Sequence, residues 1–157
     1  MSLIELLAAM AVVGVLTSFS LLSSRAPLLQ QQLLAATRQL ELGLEQARDQ
    51  AMDQQAPCAL ALREAGWIAP DGGSLPVCSH AVGPLLAGDR ANGLRLNHNI
   101  SELQFTTNGL VLGGGTVRLA VDGLLQERCV VISLPLEITR QGLWSEGQCL
   151  PTENASS

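Results

Sequence analysis

Four cysteines, Cys58, Cys78, Cys129 and Cys149, are the side chains of this sequence best suited to chemistry. They form two local pairs of identical spacing, with nineteen residues between partners. No CxxC pair exists, so neither a zinc ribbon nor a thioredoxin-like redox site has support. An even set of this kind predicts two disulfides in an oxidising compartment. Four buried reduced thiols in a cytosolic protein are the alternative. Three connectivities are open to four cysteines. The local pairs Cys58–Cys78 and Cys129–Cys149 are preferred, because each closes a short strand-loop-strand segment.

Other reactive arrangements fail on their surroundings. Cys78-Ser79-His80 offers two metal ligands, but only His98 remains as a third nitrogen ligand, so exposed loop histidines are the better reading. Gly113-Gly114-Gly115 lacks the Lys-Ser/Thr and the following helix of a phosphate cradle and reads as a bend between strands. No G-x-S-x-G nucleophile motif occurs, and the acids are scattered. No catalytic residue, metal site or cofactor is expected.

The elements that hold these residues are set by composition. With 157 residues the chain is expected to form one compact domain plus whatever lies outside it. Hydrophobic residues make up 47% and charged residues 15%, against about 25% charged in average proteins, which excludes disorder for most of the chain. All nine basic residues are arginine, set against fourteen acids, and the net charge is −5. Such a surface repels phosphate backbones, so nucleic-acid binding is disfavoured.

From Leu3 to Leu22 the sequence is LIELLAAMAVVGVLTSFSLL. Twenty helical residues cover about 30 Å, the hydrocarbon thickness of a bilayer, and predict a membrane anchor. Nothing basic precedes the run and Ser23-Ser24-Arg25 is a poor cleavage site, which argues against a secretory signal. Glu5 is the one charge inside it. A carboxylate there is either paired and functional or reaches the headgroups. Gly14-x-x-x-Ser18 suits close helix packing.

Pro27 predicts a kink or short break. Leu29, Leu33, Ala36, Leu40, Leu44, Ala47 and Ala51 then recur in steps of three and four, one face of an amphipathic helix ending at Ala56-Pro57. Gln30, Arg38, Glu41, Glu45, Arg48 and Asp49 make its polar face, with Glu45 and Arg48 spaced for a helical ion pair. Beyond Pro57 the period changes. Expected strands are Cys58–Arg63, Leu94–Asn97, Leu103–Thr107, Thr116–Val121, Arg128–Leu134 and Leu136–Arg140. Asn108-Gly109 and Asp122-Gly123 read as hairpin turns. Gly66 to Gly93 reads as a long irregular connection.

The opening Met1-Ser-Leu-Ile-Glu5-Leu-Leu with Val13-Gly14-Val15-Leu16 resembles the start of a mature type IV pilin-like chain. Leu3, Ile4 and Glu5 match that superfamily, while Met1 stands where Phe is usual and Ser2 where Thr is usual. Leu44, Ala47-Arg48, Ala51, Cys58–Leu62, Trp67, Phe105, Gly109 and Arg128-Cys-Val-Val-Ile132 are similar to the pseudopilin group called GspH/FimT. The resemblance implies an α+β fold, a long N-terminal helix packed on a C-terminal antiparallel β domain. The divisions expected are 1–25, transmembrane; 26–57, amphipathic helix; 58–150, periplasmic β domain; and 151–157, a polar tail. It implies a single-pass inner-membrane subunit that initiates, caps or enters a type II secretion pseudopilus or type IV pilus. Its partners would be other pilin or pseudopilin subunits, the inner-membrane assembly platform and a prepilin peptidase, with processing and methylation at Met1. Either the numbering begins at the processed end or the start was assigned late. Inside a filament the cation compensating Glu5 would be the free amine of Met1 on a neighbouring subunit, and the resemblance points to the same pairing. A DNA-receptor pilin of natural transformation is the alternative function, although its Gly-Arg-x-Arg segment is replaced here by Ile138-Thr-Arg140-Gln-Gly142. A membrane-anchored periplasmic enzyme is a third.

Overall fold

A computed structural model describes Met10, residues 25–134 and residues 138–152 of the chain. The stretch Arg25–Asp53 forms one helix, α1. Pro27 sits in the first of these turns, where its missing N–H costs nothing within the described segment. Leu33, Ala36, Leu40, Leu44, Ala47 and Ala51, the stripe expected from periodicity, are all buried, and Leu29 packs against its edge. The helix stops in a Schellman turn: Ala56 N–H donates to Ala51 C=O (3.2 Å) and Gln55 N–H to Met52 C=O (3.2 Å). Gln55 holds the left-handed position, φ 48°, that glycine usually takes.

The remaining described chain makes ten strands in two five-stranded antiparallel sheets. They are β1 (Cys58–Arg63), β2 (Gly66–Ile68), β3 (Gly83–Pro84), β4 (Leu94–His98), β5 (Leu103–Phe105), β6 (Val111–Leu112), β7 (Gly115–Val121), β8 (Arg128–Ser133), β9 (Ile138–Ser145) and β10 (Gln148–Pro151). The first sheet has the order β3-β2-β1-β5-β6 and the second β10-β9-β8-β7-β4. Helix α1 lies across both, touching β1, β2 and β5 of one and β7 and β8 of the other. Their shared core contains Leu60, Leu62, Trp67, Leu103, Phe105, Val117, Leu119 and Val130. Each such side chain contributes about 1.5–3 kcal/mol on burial. The fold is α+β, one N-terminal helix packed on antiparallel sheets.

The Gly66–Gly93 connection contains β2 and β3, paired on β1 through Leu62↔Trp67 and on each other through Trp67↔Gly83. Asp122-Gly123 is a turn (Leu124 N–H to Val121 C=O, 3.0 Å), but the β7–β8 register begins only at Leu119↔Arg128, so it is no tight hairpin. Two-residue hairpins occur instead at Glu64-Ala65, between the paired Arg63 and Gly66, and at Glu146-Gly147, both with positive φ (50° and 81°), between the paired Ser145 and Gln148. The last strands are β9 and β10 rather than Leu136–Arg140 alone. Arg48 forms no ion pair among the described residues, so the Glu45–Arg48 pair is absent. Its Nε is buried without a partner, beside the Asn108-Gly109 turn.

No described helix is long and apolar enough to cross a membrane. The expected span Leu3–Leu22 lies, apart from Met10, outside the described residues.

Candidate interaction site

Three of the four cysteines lie on strands, and Cys78 lies in the connection between β2 and β3. Cys58 opens β1 and is bonded to Cys78, with the two Cα atoms 5.1 Å apart. Next to this bridge Ala59 N–H donates to Pro76 C=O (2.9 Å) and Cys78 N–H to Ala59 C=O (3.1 Å), so the connection is stitched to β1. Gln50, 5% exposed on α1, accepts the His80 N–H at 2.9 Å. A disulfide-bonded Cys78 is no metal ligand, and no group of three or more His, Cys, Asp or Glu able to hold a metal ion occurs among the described residues.

Cys129 on β8 is bonded to Cys149 on β10, Cα atoms 5.8 Å apart, although β9 runs between those strands. Two strand spacings would be about 9.5 Å in a flat sheet, so the sheet curls here. Gly142 of β9 allows it, because a Cβ at that position would meet Cys149 Sγ at 3.0 Å and collide with the Leu150 carbonyl.

The outer face of the second sheet carries a polar cluster that sequence reading did not pick out. Arg118 of β7 pairs with Glu127 at 2.7 Å and lies over the Trp144 ring, its Cζ 4.5 Å from the centroid. Asn97 is its partner across β4. Arg95 of β4 pairs with Asp122 at 2.9 Å, both largely exposed. On the inner side, Gln141 Nε2 donates to Glu41 Oε2 at 2.6 Å and Gln141 Oε1 accepts from Arg128 at 3.4 Å, tying α1 to β8 and β9. Burial, reinforced by the neighbouring Glu45 carboxylate, pushes the Glu41 carboxyl above its ordinary value against the opposing pull of Gln141.

Where the two sheets part, a slot of about 620 Å³ opens between Arg63-Glu64-Ala65, at the β1–β2 turn, and Leu96-Asn97-His98 of β4. A second hollow of about 390 Å³ lies between Leu28, Gln31, Gln32 and Ala35 of α1 and Leu86. Both are openings between elements, without convergent acid, base and nucleophile. Met1 and Glu5 lie outside the described residues.

Residues 36–135 match the family described as Type II transport protein GspH. The chain belongs to the GspH family. No curated protein and no solved structure matches it. It is a GspH/FimT-type minor pseudopilin of type II secretion, from a family of structural subunits rather than enzymes. The matched stretch contains most of the buried face of α1, the Cys58–Cys78 bridge, Trp67 and both walls of the slot. Trp144, Cys149 and β9–β10 lie beyond it. For this GspH-family chain the relevant chemistry is association with other pseudopilins, so surfaces count for more than a catalytic cleft. The cluster at Arg118 escaped sequence reading because Arg118, Glu127 and Trp144 are brought together only by the pairing of β7, β8 and β9.

Proposed function

We propose that this GspH-family chain enters the type II secretion pseudopilus as a subunit that initiates or caps it. Residues 1–25 would span the inner membrane before assembly, 26–57 would rise from it, 58–150 would sit in the periplasm, and 151–157 would be a polar tail. The observation that carries this reading is how α1 meets its domain. Arg25 to Leu28 are exposed, and full burial begins only at Leu33. A helix whose first turn lies exposed at the edge of its domain, and which follows an apolar run in the sequence, would bury that run in lipid or among neighbouring helices. Glu5 and the Met1 amine of an adjacent subunit would then set the stagger between subunits, since an unpaired charge in a water-free filament core is costly. Prepilin peptidase and the inner-membrane platform would act on Met1 and on the apolar helix respectively.

Deleting the gene in its host and measuring export of type II secretion substrates tests this directly. Export should fall and return when the full chain is supplied, and the chain should co-purify with other pseudopilins after detergent extraction. Undiminished export together with no pseudopilin in the eluate would overturn the reading.

A further inference from the structure

The four edges of the two sheets are protected unequally. β3 and β6 are two residues long and β10 ends on Pro151, but β4 presents five residues without proline. Its hydrogen-bonding direction follows from the ladder to β7. Asp122 N–H donates to Gly93 C=O (2.8 Å) and Asn99 N–H to Thr116 C=O (3.3 Å), in the register that sets Arg95 opposite Ala120 and Asn97 opposite Arg118. Bonded and non-bonded pairs alternate in an antiparallel ladder, so Arg95 and Asn97 turn their peptide groups to β7. Leu94, Leu96 and His98 turn theirs to the open edge. Side chains alternate as well: Arg95 and Asn97 are exposed on the outer face, while Leu94, Leu96 and His98 are half-buried.

That edge borders the 620 Å³ slot. On the far wall the pairing of β1 with β5 ends at Leu60↔Leu103, and β1 runs on beyond it to the turn into β2. Arg63 and Glu64 line the slot, and Arg95 stands beside it on the outer face of β4; the two arginines are held by exposed ion pairs to Asp71 and Asp122. Exposed pairs of this kind are exchanged at little cost.

We propose that β4 accepts an extended segment of a different protein chain as an added antiparallel strand, with aliphatic and acidic side chains alternating along it. Aliphatic residues opposite Leu94, Leu96 and His98 would continue the inner face, and acidic residues would face Arg95 and Asn97. Cross-strand neighbours share a face, so the aliphatic residues are the ones whose peptide groups bond to β4. A second copy of this chain fits less well, because its own β4 brings another Arg95 and no acid. The inference stands on the edge itself and holds whether or not the chain works in a filament.

The test uses the full chain in detergent micelles and a labelled, capped peptide of alternating valine and glutamate, about seven residues long, followed by fluorescence anisotropy. Saturable binding is expected. Methylating the valine nitrogens should weaken it by about tenfold or more, the equivalent of at least one lost hydrogen bond. Methylating the glutamate nitrogens should leave it nearly unchanged. Leu96→Pro should weaken binding similarly while leaving the β7 ladder intact, since that N–H faces outward. Arg95→Glu should reverse the preference toward a valine–lysine peptide. No saturable binding, equal loss with both methylated peptides, or self-association of the chain abolished by Leu96→Pro would each overturn the proposal. The peptide arms leave the protein unaltered, so they decide the matter even if Leu96→Pro fails to fold.

Discussion

The Trp67 indole brings its Cδ1–Nε1 edge against the helix at Gly43, and its Nε1 donates to the Leu40 carbonyl at 3.1 Å. That carbonyl serves its helix bond with one lone pair and Trp67 with the other. Gly43 is the one glycine within α1, and a Cβ there would overlap Trp67 Cδ1 and Nε1. Gly43→Ala gains about 1 kcal/mol in helix propensity but overpacks a buried ring, a cost of about 1–3 kcal/mol. Overpacking wins, and the variant should melt at lower temperature than wild type. Trp67→Leu should cost more by itself yet relieve the Gly43→Ala penalty, giving a non-additive cycle in thermal denaturation. Additive effects would refute the contact.

The two disulfides should differ in what they hold. Cys58–Cys78 anchors the connection between β2 and β3 beneath Gln50, while Cys129–Cys149 straps the curled end of the second sheet. Replacing either pair by serine should cost about 2–4 kcal/mol in chemical denaturation. Non-reducing peptide mapping of protein from its native host should recover both local pairs. Four free thiols, or crossed pairs, would contradict the arrangement.

Glu41 gives stability a dependence on pH. Its folded-state pKa is raised by burial and by Glu45. Stability from this group is therefore fully present below its unfolded pKa and is lost as pH rises through the folded value. Glu41→Gln keeps an acceptor for Gln141 Nε2 and removes the half-buried charge. The melting temperature of the variant relative to wild type should climb between about pH 4 and pH 7. A constant difference across that range would exclude Glu41 as the cause.

Gln55 stands in the left-handed position of the helix-ending turn, with φ 48°. Gln55→Gly removes the Cβ conflict of that conformation, about 1–2 kcal/mol, against about 0.5–1 kcal/mol of added backbone entropy, and should raise stability by the difference. Denaturant titration checks it, and a destabilised variant would mean the Gln55 side chain itself supports the turn.

Substituting Glu5 should separate membrane insertion from filament assembly. Glu5→Ala removes a carboxylate that is expensive in lipid, so content in the inner membrane should hold or rise. It also leaves a neighbour's amine unpaired, so content in sheared filaments should fall sharply, and Glu5→Gln should do nearly the same. Normal incorporation of Glu5→Ala would return Glu5 to a headgroup-facing role, and loss from both fractions would place the defect in insertion.

What repeats locally was legible in residue order alone. The stripe Leu33, Ala36, Leu40, Leu44, Ala47, Ala51 was legible because a helix with one buried face must place an apolar residue every three or four positions. Val117, Leu119 and Val121 were legible for the equivalent reason in a strand. Tertiary structure decided what depends on partners distant in sequence. The short β2 and β3 have no period of their own and exist through pairing, β2 on β1 and β3 on β2. The β9–β10 hairpin turns on Glu146, which adopts positive φ without being asparagine or aspartate. Arg48 sits beside the Asn108-Gly109 turn rather than pairing with Glu45, because the turn crosses α1 at that level. The slot at β4 likewise belongs to no segment: it exists because β5 pairs with β1 over only three residues while β4, next to it in the chain, belongs to the other sheet.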